Sequence, residues 1–377
     1  MFEFFTLNQE AFGLDISDLS LKIIKLKKRG KFLGLASFGE AEIKPGIIVE
    51  GEIKDEESLS KIIRDALKRV RGEKLKTKYV IASLPEEKAF LQVIQLPIMD
   101  EEDLKSAVRF EAENYVPLPI EEVYLDSQTV PPIYNNLDHL DVLLAAQPKK
   151  IVDGYLNSIK KAGLIPKVLE IESQSITRAL VNQGLSPFPA LLVDLGASRT
   201  SFIVFSGYSL RFTFSIPVSS QKFTEAISKT LKKDLTEAEK LKIKYGLKRE
   251  KKDEESERVF EAMIPALTDL IEQIKRYLSF YQTHDAHEHL LPRQKFGDRG
   301  LPPDGKGVTK IFLCGGGANL KGLVDFLALE FKIPVEIGNP WVNILPKPLR
   351  EVPELPFEKS LGYTTALGLA LRGIREK

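Results

Sequence analysis

One run of strands is written twice in this chain. From Phe12 it reads FGLDIS, then LKIIKL and, past Arg29-Gly30, KFLGLASFGEAEI; from Ala190 it reads ALLVDLG, then RTSFIVF and, past Ser206-Gly207, YSLRFTFSIPV. Short apolar stretches broken by turn formers make each a three-stranded meander. Superimposing Asp15 on Asp194 pairs Leu14 with Val193, Ile16 with Leu195, Ile23 with Phe202 and Ile24 with Ile203. Such a duplication implies two similar domains facing one another, with the repeated turns meeting at a cleft. Chance agreement between apolar strands is the competing explanation. Length favours the duplication, because 377 residues exceed the roughly 250–300 at which one core stops growing.

Between the meanders the pattern predicts a helix over Glu57–Arg71, a strand from Lys78, and an inserted subdomain over 92–147 that interrupts the repeat. Inside the insert, Asp100 stands where it can cap a helix through Leu104, Val108 and Tyr115, which stops near Pro117; the strand LDVLLAAQP closes it. After the second meander, helical spacing runs over Lys222–Lys233, Thr236–Tyr245 and Glu257–Tyr281, and then a Pro/Gly-rich stretch reads as an exposed loop. The expected division is a first-lobe core in 1–91 and 148–185 and the insert at 92–147. A second-lobe core occupies 186–221 and 310–361, a helical subdomain 222–283, the loop 284–309, and a C-terminal helix 362–377 returns to the first lobe.

Composition narrows the function. With 54 Lys and Arg against 53 Asp and Glu, the chain has no overall field to draw nucleic acid or an anionic surface. A single cysteine, Cys314, excludes an internal disulfide framework and suits a reducing compartment, so a cytoplasmic location is expected. Its neighbours are apolar, so Cys314 reads as a small buried strand residue. The start of the chain lacks a secretory pattern, and no window approaches the ~18 apolar residues of a spanning helix. His284, His287 and His289, with Asp285 and Glu288, form a short run that could ligate a metal. Histidines exposed at a helix end are the commoner explanation.

Asp15 and Asp194 each close an apolar strand and are followed by small or polar residues, Ser17-Asp18 and Gly196-Ala197-Ser198. Turns of this kind present backbone N–H groups to phosphates, while the carboxylate holds a hydrated magnesium ion. Either turn alone is more often a solvated hairpin; their duplication shifts the balance. Gly315-Gly316-Gly317, between a strand and a helix, would let backbone approach a flat base or sugar. Glu239 and Lys242 share one helical face, as many solvated ion pairs do.

GLDIS, VDLGASRT, AEKLK and LCGGGANLKGL occur in the order of the phosphate-1, phosphate-2, ribose and adenosine motifs, and on these the chain resembles the actin-like ATPase superfamily. The insert resembles the extra subdomain of the FtsA branch. AVRFEAENYVPLPIEEVYLD, NPW at Asn339–Trp341 and ALGLALRG resemble the type IV pilus assembly protein PilM family. The resemblance implies an α/β, two-lobed actin-like fold of duplicated RNase H-like domains with an inserted subdomain. It implies ATP and Mg2+ as cofactors, with Asp15 and Asp194 near the metal through water. Ser17, Asp18, Leu19, Ser20 and Lys22, with Gly196, Ala197, Ser198, Arg199 and Thr200, would surround the phosphates. Glu239 and Lys242 would meet the ribose, and Gly315, Gly316, Gly317 and Asn319 the adenine. The first loop departs from the pattern in having Ser17 where glycine is common and no lysine at its tip.

Glu172, at a helix start 22 residues before Asp194, falls where relatives place a water-orienting glutamate; a carboxylate there also favours the helix dipole. The resemblance further implies that the chain binds the cytoplasmic N-terminal peptide of PilN through a groove involving the insert, with indirect links to other inner-membrane platform proteins. An FtsA-like filament protein would want an amphipathic helix beyond LRGIREK, so bilayer contact is expected through partners. Self-association is open, and a small-molecule kinase lacks a convincing catalytic residue in the first lobe.

Overall fold

The computed structural model describes residues 10–30, 32–132, 138–249, 253–284, 307–345 and 352–375, and the statements below concern these. The first meander is β1 (Phe12–Ile16), β2 (Ser20–Arg29) and β3 (Phe32–Glu42). Short β4 (Ile48–Val49) and β5 (Glu52–Ile53), α1 (Glu56–Lys68), β6 (Arg71–Gly72) and β7 (Tyr79–Leu84) follow. The insert holds β8 (Phe90–Pro97), α2 (Glu101–Tyr115), β9 (Val123–Thr129) and β10 (His139–Pro148). Then come α3 (Lys149–Lys161), β11 (Ile165–Ile171) and α4 (Glu172–Leu180). The second meander is β12 (Ser186–Leu195), β13 (Thr200–Gly207) and β14 (Ser209–Ile216), followed by α5 (Ser220–Leu231), α6 (Leu235–Tyr245) and α7 (Glu254–His284). The chain closes with β15 (Lys310–Cys314), α8 (Leu323–Phe331), β16 (Val335–Ile337), α9 (Phe357–Ser360) and α10 (Thr364–Arg375).

The duplication is real. One sheet runs β11-β7-β1-β2-β3-β6, and the other contains β16-β15-β12-β13-β14 in the corresponding order. In each, the first meander strand has an antiparallel hairpin on one side and two parallel strands on the other. The register also repeats: Asp15 lies opposite Lys22, and Asp194 opposite Ser201. The apolar pairs matched in the sequence are all buried; one face of the second sheet packs against its own helices in one core, and the first sheet shares a second core with Leu192, Ile203 and Phe205 from the second sheet's other face.

The insert is tied to more than the first lobe. β14 would otherwise leave a row of unpaired backbone groups at its edge. Instead it pairs antiparallel with β8 at Phe212 and Gln92, so that β8, β10 and β9 extend the second lobe's sheet to eight strands. α2 covers this extension, with Asp100 accepting from the Glu102 and Asp103 amides at its N-terminus and Val108 and Ala112 buried beneath it. The helix expected over Glu57–Arg71 ends at Lys68, because Arg71-Gly72 pairs with β3 instead. The helix expected over Glu257–Tyr281 extends to Glu254–His284 and carries Pro265 within it. His287, His289 and most of the expected 284–309 loop lie outside the described residues.

α10 packs against both β1 and α4, which closes the first lobe. At the crossing with α4, a Cβ on Gly368 would collide with the Ser175 carbonyl. Gly368→Ala is therefore expected to lower stability by about 1–3 kcal/mol, since a well-packed crossing resists added volume; urea unfolding of the two proteins measures this.

Candidate functional site

Both meanders turn at the same place. After Asp15 the Ser17 amide donates to the Ser20 carbonyl at 2.9 Å, and after Asp194 the Gly196 amide donates to the Arg199 carbonyl at 2.9 Å. Ser17 thus occupies the position of Gly196, and neither residue has the left-handed backbone that would demand glycine. A Cβ at Gly196 would meet the Arg199 carbonyl oxygen, whereas the first turn accommodates Ser17, whose hydroxyl lies 3.0 Å from Ser20 Oγ.

The two turns face a cavity of about 290 Å³. Asp15, Ser17, Asp18, Ser20 and Lys22 line it from the first hairpin, and Asp194, Gly196, Ala197, Ser198 and Arg199 from the second. Glu172, Gly315 and Gly316 complete the expected lining. Lys22 sits at the start of β2, not at the loop tip, with its ammonium 4.0 Å from Asp15 and 2.8 Å from Ser20 Oγ. It supplies the cation that the tip lacks.

Other expected residues stand behind this wall. Thr200 is buried and donates to the Val218 carbonyl at 2.7 Å, and the Leu19 carbonyl accepts from the Ile43 amide at 3.0 Å. Lys242 pairs with Glu239 at 2.8 Å and donates to Ser220 and Thr224, and Glu239 also accepts from Thr224. This network fixes the start of α5, whose Ser220 and Gln221 amides donate to the Gly196 and Ala197 carbonyls. Glu239 and Lys242 therefore brace the second turn and do not line the cavity. Asn319 ties Gly316 to Glu358 through their carbonyls, and Gly317 packs on Leu195. Gly315 has φ +79°, and a Cβ there would collide with Asp194 Oδ1. Only glycine lets that strand end lie against the aspartate.

The cavity wall is crowded with carboxylates. Burial pushes Asp194 up to about 6, with Asp15 adding to the shift and Lys22 opposing it. Glu87 rises to about 7 through burial and then the nearby Asp18 charge, against Arg199. Asp15 is raised by burial, with Lys22 and the Ser83 hydroxyl holding it back, and Glu172 is raised well above its usual range by burial and then by Asp15, Glu87 and Asp194. Cys314 is buried with Sγ 3.8 Å from Asp194 Oδ1, and its thiol is pushed up, which excludes a thiolate nucleophile. Among the described residues, no group of three or more His, Cys, Asp or Glu side chains forms a direct metal-ligand cluster. A cation here fits as a hydrated ion held through water, as magnesium usually is. The buried Tyr155 hydroxyl also lines the cavity and has no hydrogen-bond partner among the described residues, so the cavity offers polar capacity to a ligand.

Sequence reasoning missed Pro85, Glu87, Tyr155, Ser215, Leu361 and Gly362, all of which line the cavity. Pro85 and Glu87 follow the carboxyl end of the parallel strand β7. The rule that ligands bind beyond such ends could have found them. Tyr155 and Ser215 carried no signal, because a helix and a strand from distant parts of the chain bring them in.

A family model of type IV pilus assembly protein PilM matches residues 13–291 and 302–374. The chain belongs to this family. The solved structure described as the PilM-PilN type IV pilus biogenesis complex is 28% identical, with a TM-score of 0.77 over 98% of this chain and 100% of that one. Cell division protein FtsA of Streptococcus pneumoniae serotype 2 strain D39 is 23% identical over 350 residues, 87% of this chain and 75% of its own length. MreB5 of Spiroplasma citri bound to ADP is 14% identical, with a TM-score of 0.53 over 95% of this chain and 94% of that one, and it shares the fold alone. The PilM-family chain thus has an actin-like ATPase fold with the lobes expected from its duplication. Among the described residues no helix is long and apolar enough to cross a membrane.

The raised carboxyls set a pH dependence. A folded pKa above the ordinary value of about 4 means that the native state holds protons the unfolded chain releases. That stability is present at low pH and is lost as pH rises through about 6 for Asp194 and about 7 for Glu87. The protein is therefore expected to melt lower near pH 8 than near pH 5, which scanning calorimetry checks.

Proposed function

We propose that the cavity binds ATP with a water-shielded Mg2+ and that closure of the lobes controls capture of a PilN-type peptide, making the chain a nucleotide-dependent component of the pilus assembly complex. The observation that supports this most directly is the pair of equivalent turns, which bring Asp15 and Asp194 to one cavity beside Lys22 and Arg199. Backbone amides of the turns would cradle phosphates, and Lys22 and Arg199 would offset their charge. Asp15 and Asp194 would hold the hydrated metal. Glu172, which lines the cavity, would orient water, and the lobe, insert and helical-subdomain division expected from the sequence is part of the same proposal.

The peptide site follows from the sheets. β9 is the edge strand of the eight-stranded sheet and β11 the edge of the six-stranded one. Both line a groove of about 220 Å³ with Gln147, Val152 and Gln174. Two unpaired strand edges at one groove suit an extended peptide that adds a strand. The groove floor is held by Glu170, whose buried carboxylate accepts from Arg178 and Arg372. Attachment near the inner membrane would come through the partner that carries the peptide.

Titration calorimetry tests the nucleotide site. Asp194→Ala is expected to weaken magnesium-ATP binding by at least about tenfold, because losing a charged contact to a metal or its waters removes upwards of ~1.4 kcal/mol; unchanged affinity would reject the site. For the groove, Ser127→Trp adds bulk at an exposed lining position of β9. Binding of a fluorescent PilN-type peptide should fall while ATP affinity holds.

A further inference from the structure

A net charge of +1 conceals a concentration of cations at one end of the first lobe. β2 runs away from the cleft, and over its nine residue steps the far end lies about 30 Å from Ser20. There β2 carries Lys25, Lys27, Lys28 and Arg29 with no acidic residue between them. The segment entering β7 adds Lys74, Lys76 and Lys78, all exposed. The two meet: Glu73 pairs with Lys27 and also feels Arg29 and Lys76. Between them lies an open groove of about 940 Å³, lined by Lys25, Lys27, Lys74, Lys76 and Lys78. Among the described residues Glu10 and Glu73 are its only acidic lining residues, and each is occupied by a lysine, Lys25 and Lys27 respectively. Lys74, Lys76 and Lys78 have no ion-pair partner among the described residues. Phe32, at the adjoining hairpin, is 37% exposed.

We infer that this end docks on an anionic phospholipid surface. A cluster of unpaired lysines beside an exposed aromatic matches the chemistry of phosphate headgroups and the apolar boundary below them. The groove offers a strand of bases no stacking platform: Tyr79, half-buried, is its single aromatic lining residue, which disfavours single-stranded nucleic acid. The position also fits. Ile165, at the start of β11, lines the basic groove, and Val168–Ile171 of the same strand line the proposed peptide groove. The two sites are therefore about 10–20 Å apart along β11. A peptide rising from a membrane protein would enter one while headgroups meet the other, each raising the effective concentration of its neighbour. This step rests on the peptide partner being membrane-bound, but the lipid contact itself does not require that partner.

Flotation of the full chain with vesicles of mixed phosphatidylglycerol and phosphatidylcholine, without peptide or nucleotide, tests it. Binding is expected to anionic vesicles and not to pure phosphatidylcholine, and to weaken as salt rises. The triple variant Lys74→Glu, Lys76→Glu, Lys78→Glu should bind at least about tenfold more weakly while its peptide affinity and melting temperature hold. The milder Lys-to-Gln triple, with a smaller loss, guards against misfolding. No binding by the native chain, equal binding by the charge-reversed one, or tighter binding to duplex DNA than to vesicles would each overturn the inference. Failure of peptide binding alone would instead count against the proposed peptide partner.

Discussion

Carboxylates from four separate elements meet at one cavity, and only Lys22 and Arg199 line that cavity with positive charge among the described residues. Asp15 and Asp194 are the penultimate residues of β1 and β12, Glu172 starts α4 and Glu87 follows β7. Burying like charges this close is unfavourable, and their raised pKa values record the cost. The arrangement persists because the rest of the fold forces it. The sheets fix the strand ends, Gly315 lets β15 lie against Asp194, and α10 pins β1 to α4. If the cavity holds a metal nucleotide as proposed, the cation would relieve this crowding, and ligand binding would then be a lever on lobe closure.

That lever has a route to the groove. Ser215 of β14 lines the cavity, and β14 pairs with β8, which pairs with β10, which pairs with β9 at the groove. Arg211, the extra residue of a bulge in β14 between Leu210 and Phe212, reaches Asp141 on β10 at 2.7 Å, and both side chains are buried. The bulge turns that side chain toward the insert. Removing one partner of a largely buried pair is costly because it leaves the other charge uncompensated, so the pair ties β14 to β10. The insert is thus paired to the second lobe's sheet, while β11, the other wall of the groove, belongs to the first lobe's sheet. On the proposed reading, relative motion of the lobes would change the groove's width.

Much of this was legible in the residues. The duplication was legible because the paired strands are continuous apolar runs buried on both faces, and matching Asp15 to Asp194 reproduced the observed register at Ile23/Phe202 and Ile24/Ile203. The turn residues were legible because their chemistry is local. What was hidden required long-range pairing. The attachment of β8 to β14 leaves no mark in either strand, and the ends of α1 and β6 were decided by β3. For Glu239 and Lys242 the shared helical face was legible, but not that the ammonium is also taken up by Ser220 and Thr224 of α5. Composition misled in one place, because a balanced total of charges says nothing about the lysines gathered at the far end of β2.

The central claim is that cleft and groove are coupled, and linkage makes this measurable in one titration. The affinity of a PilN-type peptide should be determined with and without saturating magnesium-ATP, on the same full chain. Coupling predicts affinities that differ by at least about fivefold, the low end of typical allosteric coupling, with the difference shrinking in Arg211→Met. Equal peptide affinity in the two conditions, with ATP shown to be bound, would contradict the account.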